Sequence, residues 1–322
     1  MQNIDSKVIV LGTGGTIAGT AADAGDNVGY TAAQLGVAQL VRAVPALAQV
    51  PLEAEQVAQV DSKDMSHAVW RELALRCAHH LARDDVAGIV ITHGTDTLEE
   101  TAWFLQRVLA PSKPVVLTAA MRPATSLQAD GPQNLLDAVG VARTSGARGV
   151  VAVLGGQVHG ARDVRKVHPY RIDAFSSGDA GPIGCIEEGE LRLFRDWPQG
   201  EALGVAVLPA DGRWPRVEIV MSHAGADGAI VRALCASGVQ GLVVAATGNG
   251  TLHSALEAAL LEAQAGGVRV LRSTRCGDGR VVSAGDAALP SSDDLTPVKA
   301  RVELLLRLLW SLPFVTQLTN RA

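Results

Sequence analysis

The sequence is poor in several features that mark particular classes of protein. Aromatic residues make up only 3% of its 322 residues and the net charge is −5, so the stacking side chains and basic surplus of nucleic-acid-binding proteins are missing. It has no HExxH pair, and its four cysteines, Cys77, Cys185, Cys235 and Cys276, form no CxxC motif. We therefore expect no nucleic-acid partner, no zinc site and no disulfide framework, but buried free thiols.

Long apolar runs are also missing. No stretch reaches the length of a membrane-spanning helix, and the first apolar run, residues 8–11, ends at Gly12. That run is too short for the apolar part of a secretory signal peptide. We therefore expect a cytoplasmic protein with no membrane partner.

Short apolar runs alternate with helical patterns along the chain. The helical spacing is clearest in residues 98–109, where Leu98, Ala102, Leu105 and Leu109 repeat. Such alternation predicts an α/β fold with a mainly parallel sheet flanked by helices. The predicted strands are 8–11, 88–92, 114–118, 149–154, 217–221, 241–246 and 268–272, and the predicted helices are 67–82, 98–109, 229–237, 252–265 and 297–309.

The alternation stops after Leu193. Residues 194–215 contain three prolines and two tryptophans, a composition typical of an irregular connection. A chain of this length also exceeds a typical single core. We predict a larger N-terminal catalytic α/β domain at 1–193, a linker at 194–215, and a smaller C-terminal α/β domain with a parallel sheet at 216–322.

A glycine-rich loop follows the first predicted strand, with the sequence Gly12-Thr13-Gly14-Gly15-Thr16-Ile17-Ala18-Gly19. A dinucleotide-binding loop would need glycine where Ile17 stands, and no Gly-Lys-Ser/Thr of a P-loop follows. A nucleotide-dependent oxidoreductase is therefore disfavoured. The alternative is a flexible threonine loop whose glycines let the backbone approach a substrate, with Thr16 as the candidate nucleophile.

A second polar loop, His93-Gly94-Thr95-Asp96-Thr97, follows the strand predicted at 88–92. In a parallel sheet both loops should lie at the same edge, where ligands bind. One interpretation makes Asp96 and Glu99 a capping box for the next helix. The other places Thr95 at a helix N-terminus, which favours negative charge, and lets the Asp96 carboxylate pair with a substrate ammonium.

Two further polar segments have structural interpretations. In residues 61–66, Asp64 or Ser66 would cap the helix predicted from residue 67. The charged composition of residues 162–166 predicts a solvated loop.

Together these segments give the chain a close resemblance to the bacterial-type L-asparaginase family. The resemblance covers essentially the whole chain, and the matching motifs stand in the same order as in the family. The matching motifs are residues 12–19, 61–65, 93–100, 118–123, 129–132, 160–166, 248–250 and 299–302.

The resemblance implies an amidohydrolase that converts L-asparagine, and often L-glutamine, to the acid and ammonia. It implies no metal or cofactor, and homotetramers built from intimate dimers with shared active sites. On the matching positions, the family's catalytic nucleophile, tyrosine, second threonine, carboxylate and lysine fall on Thr16, Tyr30, Thr95, Asp96 and Lys166. Its substrate-binding residues fall on Ser62, Lys63, Asp96, Ala120 and, from the dimer partner, Asn249.

The mechanism that we expect is attack by Thr16 on the side-chain amide, giving an acyl-enzyme, with Thr95 as the alternative nucleophile that the sequence leaves open. Backbone N–H groups near Thr95 and Ala120 are candidates for the oxyanion hole. Closure of residues 19–31 would bring Tyr30 to the nucleophile and exclude water.

Two positions depart from the family at the end of the pocket that faces the substrate α-ammonium. Lys63 stands where glutamine is expected, and residues 273–286 contain no glutamate. Either Lys63 pairs with Asp61 or Asp64 and leaves Asp96 to hold the amine, or the pocket prefers a substrate without a free α-amine. The alternatives to an L-asparaginase are a glutaminase-asparaginase, an amidohydrolase of altered preference, and a non-catalytic amino-acid-binding or sensor protein.

Overall fold

The computed structural model describes residues 6–282 and 287–310. The chain forms two compact units, Met1–Val205 and Ala206–Ala322. Trp197, inside the predicted linker, is buried in the hydrophobic core of the first unit. The domain boundaries predicted at 193 and 215 stay a prediction.

The first unit contains the strands β1 Lys7–Gly14, β2 Leu52–Val60, β3 Val86–Thr92, β4 Val115–Thr118, β5 Val150–Leu154, β6 Gln157–Gly160, β7 Arg165–Lys166, β8 Phe175–Ser176, β9 Gly184–Glu187 and β10 Glu190–Leu193. Eight of them form one sheet in the order β10-β9-β6-β5-β4-β3-β1-β2, and β7 and β8 form a separate pair. Strands β2, β1, β3, β4 and β5 are parallel to one another, whereas the pairs β5–β6, β6–β9 and β9–β10 are antiparallel. The helices are α1 Val37–Arg42, α2 His67–Leu81, α3 Leu98–Leu109 and α4 Gly131–Ala142.

The second unit has a three-stranded parallel sheet in the order β11-β12-β13. Its strands are β11 Val217–Met221, β12 Gly241–Ala246 and β13 Arg269–Thr274, and its helices are α5 Ala229–Ala236, α6 Ser254–Ala265 and α7 Pro297–Trp310. The α/β prediction, with a large mainly parallel sheet and a small parallel one, is confirmed.

The burial of the strands explains which ones the sequence predicts. Every residue of β3, β4 and β5 is buried, because helices cover both faces of a parallel sheet and strands there are apolar throughout. Strand β2 lies at the sheet edge, is partly exposed and reads Leu-Glu-Ala-Glu-Gln-Val-Ala-Gln-Val. An edge strand of this kind has no continuous apolar run, so the sequence analysis missed it.

The cysteines only partly follow the prediction of buried thiols. Cys77 is fully buried, and burial raises the pKa of its thiol. Cys185 and Cys235 are half-buried, and Cys276 is exposed, so the prediction is wrong for Cys276. Among the described helices, none is both long and apolar enough to cross a membrane.

Candidate active site

The two threonine loops begin at the same edge of the large sheet. Strands β1 and β3 are parallel neighbours, and Gly12 is aligned with Thr92. The Thr13 hydroxyl donates to the Thr92 carbonyl at 2.9 Å, which ties the end of one strand to the end of the other. The predicted placement of both loops at one edge is confirmed.

Glycines allow these loops to touch through their backbones. Gly15 has a φ of +83°, and a Cβ there would collide with the backbone of Gly94. A Cβ on Gly94 would in turn collide with the side chain of Ser62. Gly15 needs both the conformation and the space that glycine offers, and Gly94 needs the space. The two glycines thus bring the segments around Thr16, Thr95 and Ser62 together.

Thr16 forms a hydroxyl pair with Tyr30. The Thr16 Oγ1 and Tyr30 OH atoms are 2.6 Å apart, and Thr16 is only 8% exposed. Thr20 and Thr31 form an antiparallel bridge through two backbone hydrogen bonds of 2.9 Å, so the chain between them folds back on itself. The Tyr30 ring lies against Gly19, where a Cβ would be 2.8 Å from a ring carbon. The segment 19–31 is thus folded so that Tyr30 reaches Thr16.

Thr95 belongs to a charged cluster. The Lys166 ammonium donates to Thr95 Oγ1 at 2.9 Å and to Asp96 Oδ1 at 2.6 Å. Thr95 is buried, and the Lys166 side chain is 18% exposed. The prediction of a solvated charged loop at 162–166 is wrong, because Asp163 also pairs with Arg195 at 2.5 Å.

The capping-box interpretation of Asp96 is wrong as well. The residue that precedes α3 is Thr97, and its side chain makes no capping hydrogen bond. The Asp96 N–H donates to Ser62 Oγ at 3.1 Å, and its carboxylate accepts from Lys166. Of the two caps considered for α2, Ser66 is the one observed, since its hydroxyl accepts from the N–H of Val69.

Lys63 turns toward its own loop. Its ammonium lies 2.7 Å from Asp61 Oδ2 and 3.2 Å from Asp64 Oδ2. The hydrogen bond to Asp61, followed by the one to Asp64, raises the pKa of Lys63. This pairing is the one required by the interpretation in which Lys63 pairs with Asp61 or Asp64 instead of facing the substrate. Its consequence, that Asp96 is left to hold the substrate amine, stays a prediction.

The segment after β4 is held by a buried carboxylate. Asp130 accepts hydrogen bonds from the backbone N–H groups of Met121 and Arg122 at 3.0 Å each, and burial raises its pKa. Asn134 donates to the Ala119 carbonyl at 2.9 Å. These bonds fix the position of Ala120, which is fully buried.

Asn249 lies in the second unit and bonds to its own chain there. Its amide nitrogen donates to the Val282 carbonyl at 2.9 Å, and its oxygen accepts from the Val282 N–H at 2.7 Å. The region that lacks a glutamate, 273–286, is described only up to residue 282. Within the described residues, no three His, Cys, Asp or Glu side chains form a metal-binding group.

His93 is a residue of this site that the sequence analysis overlooked. It is fully buried directly before Gly94, and burial lowers its pKa to about 4. A polar residue at the end of an apolar strand, just before Gly-Thr, was the available signal.

Comparison with known proteins gives matches along both units. Residues 7–199 match the model of the family "Asparaginase, N-terminal", and residues 216–310 match "Glutaminase/Asparaginase C-terminal domain". L-asparaginase 2 of Bacillus subtilis is 38% identical over 311 residues, which are 94% of this chain and 82% of that protein. The glutaminase-asparaginase of Pseudomonas fluorescens is 36% identical over 319 residues, 94% of this chain and 86% of that protein.

A solved structure agrees with these matches. The crystal structure of a probable cytoplasmic L-asparaginase from Campylobacter jejuni has a TM-score of 0.87 and 37% sequence identity to this chain. The match covers 94% of this chain and 95% of that one. With both halves matched by family models and relatives above 30% identity over almost its full length, the chain belongs to the asparaginase family.

Proposed function

We propose that this protein is an L-asparaginase that hydrolyses L-asparagine to L-aspartate and ammonia through an acyl-enzyme on Thr16. The observation that carries the proposal is the pair of threonine hydroxyls on neighbouring strand ends, each with its own proton-exchanging partner. Thr16 contacts Tyr30, and Thr95 contacts Lys166. The family membership supports an amide as the substrate.

Acylation begins with the Thr16 oxygen attacking the side-chain amide carbon. The hydroxyl proton leaves along the 2.6 Å contact to the Tyr30 oxygen as the new C–O bond forms, and the partly exposed Tyr30 passes its own phenol proton to solvent. Because the contact is short and Thr16 is buried, the attacking oxygen has one preferred direction and little competing water.

The negative charge on the amide oxygen needs donors that are already in place. The backbone N–H groups of Thr95 and Ala120 are the candidates. Neither has a hydrogen-bond acceptor among residues 6–282 and 287–310. Thr95 also precedes α3, whose N-terminal end favours negative charge.

The Thr95–Lys166 pair then handles the remaining protons. Lys166 supplies a proton through the Thr95 hydroxyl to the departing nitrogen, which leaves as ammonia when the C–N bond breaks. Water then adds to the Thr16 ester and gives one proton through the Thr95 hydroxyl back to Lys166. The bond between the acyl carbon and the Thr16 oxygen breaks, the carboxylic acid is released, and Thr16 regains its proton through Tyr30. Asp96 stabilises the Lys166 ammonium at 2.6 Å before the proton is given up and after it is returned.

The remaining features are also proposals. Ser62 holds the substrate carboxylate and Asp96 the α-ammonium, with Lys63 withdrawn onto Asp61 and Asp64. Asn249 reaches the site of a partner subunit in a homotetramer of intimate dimers. A cytoplasmic location stays a prediction, since the similar proteins include the probable cytoplasmic L-asparaginase of Campylobacter jejuni and also a probable periplasmic L-asparaginase of Haemophilus influenzae.

A second candidate is a glutaminase-asparaginase, the name borne by the relative from Pseudomonas fluorescens. The third is an amidohydrolase of altered preference, favoured by Lys63 if its ammonium turns into the pocket. A sensor protein is less well supported, because substrate binding alone gives no use for a lysine held against the Thr95 hydroxyl.

Ammonia release with four substrates separates these functions. We expect turnover to be fastest with L-asparagine, slower with L-glutamine and slowest with D-asparagine and succinamic acid. L-glutamine as the better substrate would favour the second candidate, and succinamic acid as the better substrate the third. Binding of L-asparagine with no ammonia release would favour a sensor.

A further inference from the structure

A buried chain of three side chains lies beneath the Thr95 loop. The Trp70 indole nitrogen is 2.9 Å from Thr101 Oγ1, which is 3.0 Å from His93 Nε2. His93 Nδ1 is 2.7 Å from the Gly94 carbonyl oxygen. Trp70 is 4% exposed, and Thr101 and His93 are fully buried. Each link is therefore shielded from competition with water.

The two ends of this chain decide the direction of every hydrogen bond in it. An indole N–H only donates, and a carbonyl oxygen only accepts. With a neutral imidazole, His93 Nδ1–H must donate to Gly94, and Nε2 must accept from the Thr101 hydroxyl. The Thr101 oxygen in turn accepts from Trp70. Burial holds the pKa of His93 near 4, so the imidazole is neutral at ordinary pH.

The peptide at the end of the chain is the one that carries the Thr95 N–H. The described residues contain no cis peptide bond, so the Gly94 carbonyl and the Thr95 N–H point in opposite directions. A carbonyl held toward His93 therefore directs the Thr95 N–H away from the core. That N–H has no acceptor in the described part of the chain.

Gly94 makes this restraint necessary. The close approach of Gly15 and Ser62 demands glycine at position 94. Glycine also permits rotation of the adjoining peptide plane, which would turn the Thr95 N–H inward. Something other than the local backbone must hold the plane, and the His93 imidazole is the group bonded to it.

We propose that Trp70, Thr101 and His93 are positioning residues that lock the Gly94–Thr95 peptide with its N–H toward the substrate oxygen. The inference rests on the proposed function, because it assigns the Thr95 N–H to the oxyanion. None of the three side chains touches the substrate; they act through the orientation of one peptide group.

The first test removes the central hydroxyl at nearly constant volume with Thr101→Val. We expect kcat to fall about five- to tenfold, the worth of roughly one hydrogen bond, while KM stays within about twofold. Thr101→Ser keeps the hydroxyl and should restore most of the kcat. An unchanged kcat in a folded Thr101→Val protein overturns the proposal.

Phe104→Leu is the matched control for packing. The Phe104 ring stacks on Trp70 at 4.8 Å, but it supplies no hydrogen bond to the chain. This variant should lose melting temperature and keep its kcat. If it loses as much kcat as Thr101→Val at equal loss of melting temperature, the effect is one of packing and the proposal is wrong.

A second measurement detects the direction of the His93 hydrogen bonds and does not depend on enzyme activity. Nitrogen NMR of the 15N-histidine-labelled protein, with the signal assigned by His93→Gln, should show His93 protonated at Nδ1 and not at Nε2 from pH 5.5 to 8. The other tautomer, or titration within this range, overturns the proposal even if no Thr101 variant folds. If Thr95→Ala kept full activity, the proposed function would fail. The His93 tautomer would still test the hydrogen bonds from Trp70 through Thr101 and His93 to Gly94.

Discussion

The two threonines of the site lie one strand apart in very different surroundings. Thr16 has an uncharged partner, the Tyr30 hydroxyl, which reaches it from a segment folded over the loop. Thr95 has a lysine and, through it, a carboxylate, and its loop rests on a buried imidazole. The difference supports the proposed division of tasks, in which Thr16 attacks carbon and Thr95 exchanges protons and stabilises charge. The following experiments test that division.

The largest effect should come from Thr16→Ala. Without the attacking oxygen, kcat should fall by about 10³-fold or more. Thr95→Ala should also be severely slowed, but it should still accumulate an acyl adduct on Thr16, detectable by mass spectrometry of quenched protein. An adduct on Thr95 in the Thr16→Ala protein would reverse the two roles.

Lys166→Met should lower kcat by about 10²- to 10³-fold, because it removes the proton donor beside Thr95 and leaves Asp96 without its cation. Steady-state ammonia release measures the change. Lys113→Met is the control, since the one hydrogen bond of the Lys113 ammonium within the described residues goes to the Arg83 carbonyl in the same unit. Equal losses in both variants would show a general effect of removing a lysine.

Tyr30→Phe should lower kcat by about 10- to 10²-fold while keeping the ring against Gly19. The loss should be smaller than that of Lys166→Met, because only the hydroxyl contact to Thr16 is removed. The sequence offers one matched control, Tyr170→Phe, since Tyr30 and Tyr170 are its only tyrosines. Tyr170 is 48% exposed. Retention of full kcat by Tyr30→Phe would remove the tyrosine from the proton path.

His93 should make the Thr95 side of the site sensitive to acid. Its folded pKa of about 4 lies below the ordinary histidine pKa of 6.5, so the unfolded chain binds more protons between these values. Stability is therefore lost as pH falls from 6.5 toward 4, at a slope of up to about 1.4 kcal/mol per pH unit. The free energy of unfolding, measured with denaturant for wild type and His93→Gln at several pH values, should fall less steeply with decreasing pH in the variant. Parallel curves would contradict the buried neutral imidazole.

The smallest effect is expected from Lys63→Gln. The lysine is already paired with Asp61 and Asp64 on an exposed loop, and such pairs contribute little. The kcat/KM for L-asparagine should stay within about threefold of wild type. A tenfold gain, absent from the surface control Lys7→Gln, would place the Lys63 ammonium in the pocket during turnover.

Much of the fold follows from local patterns in the sequence. The predicted strands at 217–221 and 241–246 match the observed ones, as does the helix at 98–109, because buried strands are apolar throughout and the helix is periodic. Helix α4 and the antiparallel strands β6, β9 and β10 were missed. These strands are short, β10 is largely exposed and β9 is mostly half-buried, so they carry no long apolar signal.

The sequence by itself determined the α/β class, the two threonine loops and their common edge, since a parallel strand direction and the position of the loops follow from alternating patterns. Only the tertiary structure excluded the capping-box interpretation of Asp96 and placed Lys166 against Thr95. It also revealed the series of hydrogen bonds that joins Trp70 through Thr101 and His93 to the Gly94 carbonyl. The physical reason is distance along the chain: Lys166 meets Asp96 across 70 residues, and local spacing carries no information about such contacts.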